Sequence, residues 1–399
     1  MNTALVNARV LLDDGFAHGK AVLIADGRIQ AVVEEGAIPP GFARRDLDDG
    51  ALVPGFIDVQ VNGGGGALFT GDPSPEAIAR IGAAHRRYGT TGFMPTLVSV
   101  DLETVGAAIA ATRTALADGS PGLLGVHIEG PFLNPARKGI HDASKFRVID
   151  EPAVALLTSL NAGRTLVTLA PEMTTPEIIN RLTKAGVIVA AGHTNADYAT
   201  IRAALDHGLA GFTHLFNAMS PLTSREPGAV GAALEDGASW CGLIVDGKHV
   251  HPVVLRVALA AKRHERFMLV TDAMPTVGMT DKVFRLGGRL ITVKDGVCVD
   301  EHGTLAGSDL DMAGAVRNAV NMLGLSLAEA ARMASRSPAE FLGLGRELGR
   351  IAPGYRADLV LLDADLQVAE TWINGRDSAA DTATATGAVQ GGHEGARHA

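Results

Sequence analysis

The chain has 399 residues, of which 47% are apolar and 20% charged, a composition typical of a globular protein whose length predicts one large and one smaller domain. Its formal net charge of −9 argues against nonspecific binding to nucleic acid or to an anionic membrane, because both need a basic surface. The two cysteines, Cys241 and Cys298, exclude a disulfide framework and favour a reducing compartment.

The first part of the chain has the pattern of a small β domain. Short apolar runs alternate with Asp-Gly pairs, the usual hairpin signal, over residues 4–33. Residues 350–376 return to this pattern, so residues 1–53 and 347–377 are predicted to form one discontinuous β-sandwich domain. The N-terminus lacks the regions of a signal peptide, and no apolar run approaches the ~20 residues that span a bilayer. We therefore expect a cytoplasmic protein.

Residues 54–346 alternate apolar runs of strand length with helical patterns, which favours βα units on a parallel sheet. The eight candidate strands are residues 56–63, 92–98, 122–130, 165–172, 187–195, 210–218, 240–250 and 267–274. Eight such units predict an α/β fold with a closed (β/α)₈ TIM-like barrel. A Rossmann sheet is disfavoured, because Leu68 stands where the glycine-rich dinucleotide motif needs its last glycine.

Three segments depart from this regular alternation. Between the sixth and seventh strands, only residues 229–237 have a helical pattern. After the eighth strand, residues 283–300 predict an inserted hairpin, followed by helices to about residue 344. The last residues, 378–399, are small, polar and without periodicity, so a disordered tail is predicted there.

Residues at the carboxyl ends of the strands face the active site in such a barrel. Side chains of the metal-binding type occupy those positions in four strands: His127 and Glu129, His193, His214, and Asp272. Any one of them alone is more often a hydrogen-bonded structural residue. Together they are costly to desolvate unless a cation compensates them, so the sequence predicts a metal held by Glu129, His193 and His214. Two imidazoles and one carboxylate leave a coordination position open, as in catalytic zinc sites.

Asp272 is then the candidate general base and acid. A carboxylate beside the metal can take a proton from the attacking water and later return it to a leaving amine. The alternative is that Asp272 is a fourth metal ligand or supports the ligands by hydrogen bonding.

At these residues the sequence resembles the amidohydrolase superfamily and, more closely, the N-acetylglucosamine-6-phosphate deacetylases. The resemblance covers nearly the whole chain. It rests on PGFIDVQVNG (54–63), HIEGPF (127–132), KGIHD (138–142), GHTNA (192–196), THLFNAM (213–219), DGKHV (246–250), TDAM (271–274), TLAGS (304–308) and PGYRADLV (353–360). It implies a homodimer that hydrolyses N-acetyl-D-glucosamine 6-phosphate to D-glucosamine 6-phosphate and acetate, in amino-sugar catabolism and cell-wall recycling.

The resemblance also implies roles for individual residues. It implies the same three metal ligands, Glu129, His193 and His214. It also implies that Asp272 is the catalytic acid and base and that His141 hydrogen-bonds the acetyl carbonyl. The implied substrate-binding residues are Ile140, His141, Asn217, Ala218, Arg225, Asp246, Gly247, Lys248, His249, Leu305, Ala306 and Gly307. The planar guanidinium of Arg225 suits bidentate contact with a phosphate, although a loop arginine alone is more often simply solvated.

One departure from the superfamily concerns the number of metal ions. Many amidohydrolases carry a His-x-His pair at the end of the first strand, where this sequence has Gln60 and Asn62. Neutral amides are poor zinc ligands compared with imidazole, so this vestigial second-metal position predicts one divalent ion per subunit. Zn²⁺ is the first choice, with Fe²⁺, Co²⁺ or Mn²⁺ as alternatives.

Two other functions stay open at this stage. The first is an amidohydrolase that acts on a different N-acetylhexosamine phosphate or on a cyclic amide, since one fold serves many chemistries. The second is a catalytically silent barrel that serves as a binding module, although such a protein is expected to have lost ligands.

Overall fold

The N-terminal part of the chain contributes five strands to a mixed sheet. The structure, a computed structural model, describes residues 2–378, and the predicted tail falls outside the described residues from residue 379 onward. The strands are β1 (Thr3–Leu12), β2 (Gly15–Ala17), β3 (Lys20–Ala25), β4 (Arg28–Glu34) and β5 (Ala43–Pro54). Asp26 and Gly27, with φ of 51° and 75°, form the tight turn between β3 and β4 that an Asp-Gly pair predicts.

The next ten strands contain the barrel. They are β6 (Phe56–Val61), β7 (Gly63–Gly64), β8 (Ala67–Leu68), β9 (Thr90–Val98), β10 (Gly125–Glu129), β11 (Arg164–Leu169), β12 (Ile188–Ala191), β13 (Gly211–Phe212), β14 (Trp240–Leu243) and β15 (Phe267–Leu269). Except for the hairpin β7–β8, they pair in parallel in the order β15-β14-β13-β12-β11-β10-β9-β6. A bridge between Val61 and Ala273 brings the two ends of this order together. The predicted eight-stranded barrel is confirmed.

Helices alternate with the barrel strands, as the sequence pattern predicts. Within residues 2–378 they are α1 (Pro75–Arg86), α2 (Leu102–Ala117), α3 (Glu151–Leu157), α4 (Pro176–Lys184), α5 (Tyr198–Asp206), α6 (Gly228–Glu235), α7 (Pro252–Ala261), α8 (Met312–Leu323), α9 (Leu327–Ala334) and α10 (Arg336–Phe341). Capping side chains fix where helices begin: Ser74 accepts from Ala77 N in α1, and Asp101 accepts from Thr104 N in α2. No helix in this described range is long and apolar enough to cross a membrane.

Most barrel strands are shorter than predicted, and three of them end before a candidate functional residue. The sequence pattern extends them through His193, His214 and Asp272, whereas β12, β13 and β15 end two or three residues earlier. Each of these residues has a positive φ, of 47°, 34° and 54° respectively, which ends an extended strand. The candidate functional side chains therefore lie in the loops directly beyond the strand ends.

Asp58 on β6 ties the first barrel strand to the loop that follows β15. Its Oδ1 accepts hydrogen bonds from Gln60 N (3.1 Å) and Thr271 N (3.3 Å), and its Oδ2 accepts from the Thr271 hydroxyl. Burial raises the pKa of Asp58 to about 7, although these hydrogen bonds act to lower it. The carboxyl group is therefore protonated in the folded protein over a pH range where it ionises in the unfolded chain.

We expect Asp58→Asn to change how stability depends on pH. The pKa of Asp58 is higher in the folded protein than in the unfolded chain. Its contribution to the free energy of unfolding is therefore full below pH 4 and is lost as pH rises towards 7. An asparagine has no such proton, so the stability of the variant relative to the parent should rise by about 1.4 kcal/mol per pH unit across this window. Urea unfolding of the metal-free parent and variant, at several pH values, measures this difference in the free energy of unfolding. A difference that stays constant from pH 4 to pH 7 would contradict the prediction.

The segment after β15 contains more than the predicted hairpin. β16 (Val283–Leu286), β17 (Arg289–Lys294), β18 (Val297–Val299) and β19 (Leu305–Ser308) form a four-stranded antiparallel sheet. Ser308 N donates to Asp272 O (2.9 Å), which attaches β19 to the loop beyond β15. The apolar side of this sheet packs with Met274 and with Ile140. The insertion therefore covers one side of the barrel mouth.

The C-terminal strands complete the first sheet. β20 (Leu359–Leu362), β21 (Val368–Ile373) and β22 (Arg376–Asp377) continue it in the order β22-β21-β20-β5-β1-β3-β4, with β2 beside β1. Separate apolar clusters, one containing Leu5 and the other Ala4, occupy its two faces. The predicted joining of the two terminal segments in a small β domain beside the barrel is confirmed. Its boundaries at residues 53 and 347 stay a prediction.

Candidate metal centre and substrate pocket

Three side chains meet at the carboxyl end of the barrel. Glu129 ends β10, and His193 and His214 follow β12 and β13. Glu129 Oε1 lies 3.0 Å from His214 Nε2 and 3.3 Å from His193 Nε2, and the two Nε2 atoms are 3.2 Å apart. All three residues are buried. The structure therefore brings the predicted ligand set together at one point.

The spacing of these atoms fits a metal ion. With Zn–N distances of about 2.0–2.1 Å, the donor atoms of a tetrahedral site lie about 3.3 Å apart, which is close to the 3.2 Å between the two nitrogens. His193 Nδ1 donates to the carbonyl of Arg137 (2.8 Å), which leaves the lone pair of Nε2 free for a metal. The triad of Glu129, His193 and His214 can therefore hold one divalent ion.

Burial and charge set the protonation of the triad. Burial acts to raise the pKa of Glu129, but hydrogen bonds with His193 and His214 outweigh it and hold this pKa well below its ordinary value. Burial also acts to lower the pKa of His214, but the neighbouring Glu129 carboxylate outweighs burial, so this pKa lies above its ordinary value. A carboxylate that stabilises a proton on His214 would equally stabilise a metal cation in its place.

Asp272 lies beside the triad with its two oxygens in different environments. Oδ1 accepts hydrogen bonds from Asn62 Nδ2 (2.7 Å) and Gln60 Nε2 (3.1 Å). Within residues 2–378, no group donates a hydrogen bond to Oδ2, so this oxygen is available to water or substrate. Burial and then repulsion from Glu129 raise the pKa of Asp272, which favours its holding a proton.

Gln60 and Asn62 act as hydrogen-bond donors at the predicted vestigial position. Gln60 Nε2 lies 3.3 Å from both carboxylate oxygens of Glu129, in addition to its contact with Asp272. The side-chain N–H groups of Gln60 and Asn62 thus point at the carboxylates of Glu129 and Asp272, and a second cation would have to displace them. This arrangement favours a single ion, although the metal count stays a prediction.

The tautomer of His141 follows from its contact with Ser99. His141 Nδ1 lies 2.7 Å from Ser99 Oγ and 3.4 Å from Ser99 N. A backbone N–H can only donate, so Nδ1 carries the lone pair and the proton of a neutral ring is on Nε2. Burial and then repulsion from His193 hold the pKa of His141 well below its ordinary value. His141 is therefore a neutral side chain with one N–H to donate.

Left-handed backbone conformations are concentrated around this site. The non-glycine residues with positive φ there are His193, His214, Phe216, Ala218 and Asp272. Such a conformation costs about 1–3 kcal/mol at each residue and persists only where the surrounding structure enforces it. The fold thus holds three chemically important side chains and part of the pocket wall in a fixed, strained arrangement.

A pocket of about 240 Å³ opens over the triad. Beside the triad, its lining includes many predicted substrate-binding and catalytic residues: Ile140, His141, Asn217, Ala218, His249, Asp272, Leu305 and Gly307. Asn62 of the predicted vestigial metal position also lines it. His249 is held by Asp246, whose Oδ2 lies 2.5 Å from His249 Nδ1. Asp246 therefore positions His249 and does not itself line the pocket.

Other predicted residues lie away from the pocket lining. Arg225 and Lys248 are exposed, and Gly247 precedes Lys248 in the same turn. Ala306 belongs to β19 and is buried in the apolar cluster of the inserted sheet. His127 points into the barrel interior, contrary to its predicted place on the rim, since its ring nitrogens contact Thr hydroxyls of β9 and β11.

Several residues of the site are not among the predicted ones. Gly139, Met274 and Thr304 line the pocket, and each lies within two positions of a predicted site residue. Val98 also lines it from the end of β9, and Ser99 next to it positions His141. Val98 ends and Ser99 follows a strand without any charged or imidazole side chain, so no chemical signal in the sequence marks these two residues.

Comparison with known proteins identifies the family. The sequence profile of the amidohydrolase family matches residues 51–382. An N-acetylgalactosamine-6-phosphate deacetylase of Shewanella sp. (strain ANA-3) is 44% identical over 374 residues, 92% of this chain and 94% of that protein. The crystal structure of N-acetylglucosamine-6-phosphate deacetylase from Pasteurella multocida has a TM-score of 0.92 and 34% identity, covering 95% of this chain and 100% of that one. A mutant N-acetyl-D-glucosamine-6-phosphate deacetylase of Mycobacterium smegmatis, in complex with N-acetyl-D-glucosamine-6-phosphate, has a TM-score of 0.87 and 37% identity, covering 94% and 99%. The chain therefore belongs to the amidohydrolase family.

Proposed function

We propose that the protein is a metal-dependent deacetylase that converts N-acetyl-D-glucosamine 6-phosphate to D-glucosamine 6-phosphate and acetate. The observation that carries this proposal is that Glu129, His193 and His214 share one pocket with Asp272 and His141. The related deacetylases support the substrate class, because their names specify N-acetylhexosamine 6-phosphates. The proposal includes a cytoplasmic role in amino-sugar catabolism and cell-wall recycling.

The residues of the pocket account for the proton that moves from the attacking water to the leaving amine. One divalent ion held by the triad, with Zn²⁺ as first choice and Fe²⁺, Co²⁺ or Mn²⁺ as alternatives, would polarise the acetamide and lower the pKa of water to about 7. Asp272 Oδ2 takes a proton from the attacking water as its oxygen bonds to the acetyl carbon. His141 donates its Nε2–H to the carbonyl oxygen as negative charge develops there. Asp272 then gives the proton to the amine nitrogen as the C–N bond breaks, and acetate leaves.

N-acetyl-D-galactosamine 6-phosphate is a second candidate substrate. It differs from the glucosamine compound only in the configuration of one hydroxyl group, and the Shewanella relative at 44% identity is named for it. The acetamide and the phosphate are the same in both compounds. The same residues would therefore perform the same chemistry on either sugar.

Acetate release from a panel of sugars tests the proposed function. The panel contains both 6-phosphates and unphosphorylated N-acetylglucosamine, and metal is measured in the same preparation. We expect acetate from a 6-phosphate, little from the unphosphorylated sugar, and loss of activity on chelation that zinc restores. Metal-free protein that cannot be activated by any divalent ion would instead favour a silent binding module.

The phosphate end of the substrate points to a homodimer. No lysine or arginine of residues 2–378 lines the pocket, yet a phosphate needs cationic partners. Arg225 is exposed on the loop before α6, close in sequence to the exposed Leu222. Val253 and Val257 add exposed apolar surface on the neighbouring α7. We propose that these surfaces pair two subunits, so that Arg225 of each reaches the phosphate in the other pocket.

We expect Arg225→Ala to raise KM for the sugar phosphate by about 10–100-fold, the loss of a charged hydrogen bond, with a smaller effect on kcat. Arg263→Ala, which removes an arginine that is 79% exposed, is the control. Mixing Arg225→Ala with inactive Asp272→Asn subunits should restore a population of sites with the KM of the parent, because a heterodimer has one complete site. Mixtures that show only the raised KM of Arg225→Ala despite subunit exchange would show that Arg225 does not act across a dimer.

A further inference from the structure

Glu172 lies at the centre of a hydrogen-bonded network next to His193. It follows β11 and is partly buried. Its Oε1 accepts hydrogen bonds from Asn134 Nδ2 (2.9 Å) and Asn195 N (2.6 Å), and its Oε2 accepts one from Thr194 Oγ1 (2.6 Å). All three partners donate, so a carboxylate, which only accepts when ionised, suits this position.

The partners of Glu172 are the residues that hold the backbone of His193. Asn134 N donates to His193 O (3.0 Å), while Thr194 and Asn195 follow His193 in the chain. With a φ of 47°, His193 needs neighbours that maintain its conformation. Glu172 therefore binds both the two residues that follow His193 and the residue that donates to the His193 carbonyl.

The same network positions the ring of His193. Its Nδ1 donates to Arg137 O (2.8 Å), and Arg137 Nε donates to Asn195 Oδ1 (2.9 Å). Arg137 N also donates to Asn134 O (2.9 Å). The backbone of His193 lies in the segment that also contains Asn195, whereas the carbonyl that accepts from its ring lies in the segment of Asn134 and Arg137. Glu172 connects these two segments, because it binds both Asn134 and Asn195.

We propose that Glu172 is a positioning residue of the metal site. It acts through the two segments that fix the direction of His193 Nε2 and does not itself belong to the ligand cluster. This inference rests on the metal site of the proposed function. Removing the carboxylate leaves three donors without an acceptor, and the imidazole can then turn away from the direction that a metal needs.

The test compares Glu172→Ala, Glu172→Gln and the control Glu177→Ala, which removes an exposed glutamate from the first turn of α4. Zinc affinity is measured by competition with a chromophoric chelator, and the visible spectrum is recorded with Co²⁺ in the site. We expect Glu172→Ala to weaken zinc binding by about 10–100-fold, as other supports of metal-binding histidines do, and to change the Co²⁺ spectrum. Glu172→Gln should be intermediate, since its remaining oxygen can still bind Asn134 and Asn195.

The outcomes separate this inference from the proposed function. A parent protein that binds neither ion overturns the proposed metal site itself. If the parent binds metal and both Glu172 variants keep its affinity and its Co²⁺ spectrum, only the positioning role is overturned. Should Glu172→Ala fail to fold, Glu172→Gln decides, and circular dichroism confirms that the measured protein is folded. A fall in melting temperature with unchanged affinity would also count against the proposal.

Discussion

Asp272→Asn should lower kcat by about 10²–10⁴-fold, the usual contribution of a general acid and base. Asparagine has nearly the same shape, and its side-chain oxygen can still accept from Asn62 and Gln60 as Asp272 Oδ1 does. It cannot, however, take a proton from water and return it to the amine. Acetate release with saturating N-acetyl-D-glucosamine 6-phosphate measures the effect.

The metal content of the Asp272→Asn protein is the control for this experiment. Asp272 is not part of the cluster formed by Glu129, His193 and His214, so the variant should bind as much metal as the parent. Inactivity together with a full metal complement would separate proton transfer from metal binding. Activity within tenfold of the parent, which is below the range that such groups contribute, would contradict the assigned role.

Gly125→Ala should prevent the protein from folding. Gly125 begins β10 with a φ of 155°, and a Cβ atom there would lie 1.8 Å from the carbonyl oxygen of Arg164 on β11. Backbone atoms of paired strands cannot move apart without breaking the ladder between Gly125 and Arg164. The cost should exceed about 5 kcal/mol, a large part of the stability of a typical domain. Soluble yield and circular dichroism measure it.

Gly106→Ala is the matched control for that substitution. Gly106 lies inside α2, where an added Cβ would meet Leu156 Cδ1 at 3.6 Å, an ordinary contact. Alanine favours a helix interior over glycine by about 0.5–1 kcal/mol, so this variant should be slightly more stable than the parent. Normal folding of Gly125→Ala would show that β10 and β11 do not pair as described.

The barrel and its metal triad were predictable because they follow from periodic patterns. Buried strands and amphipathic helices alternate along the chain, and this alternation alone predicts which ends of the strands meet. Glu129, His193 and His214 lie at those ends, so convergence follows from their positions in the sequence. The exact strand lengths did not follow, because nothing in the sequence signals the left-handed conformation of His193 or His214.

Contacts between loops were not predictable. Ser99 binds His141 and Glu172 binds Asn134, although these pairs are separated by 42 and 38 positions and follow no period. The fourth strand of the inserted sheet, β19, lies beyond the predicted hairpin, and its Gly307 has a φ of 75°, which is atypical of a strand. Such features depend on how the loops pack on one another, and that packing exists only in the folded chain.

The amide pair at the end of β6 has an electrostatic consequence for the whole reaction cycle. Glu129 and Asp272, when ionised, carry two negative charges, which a single divalent ion would neutralise, while Gln60 and Asn62 donate hydrogen bonds to them without adding any charge. A second divalent ion would instead leave a surplus of two positive charges at the centre. With one ion, the release of an anionic product would therefore not have to overcome a net positive charge.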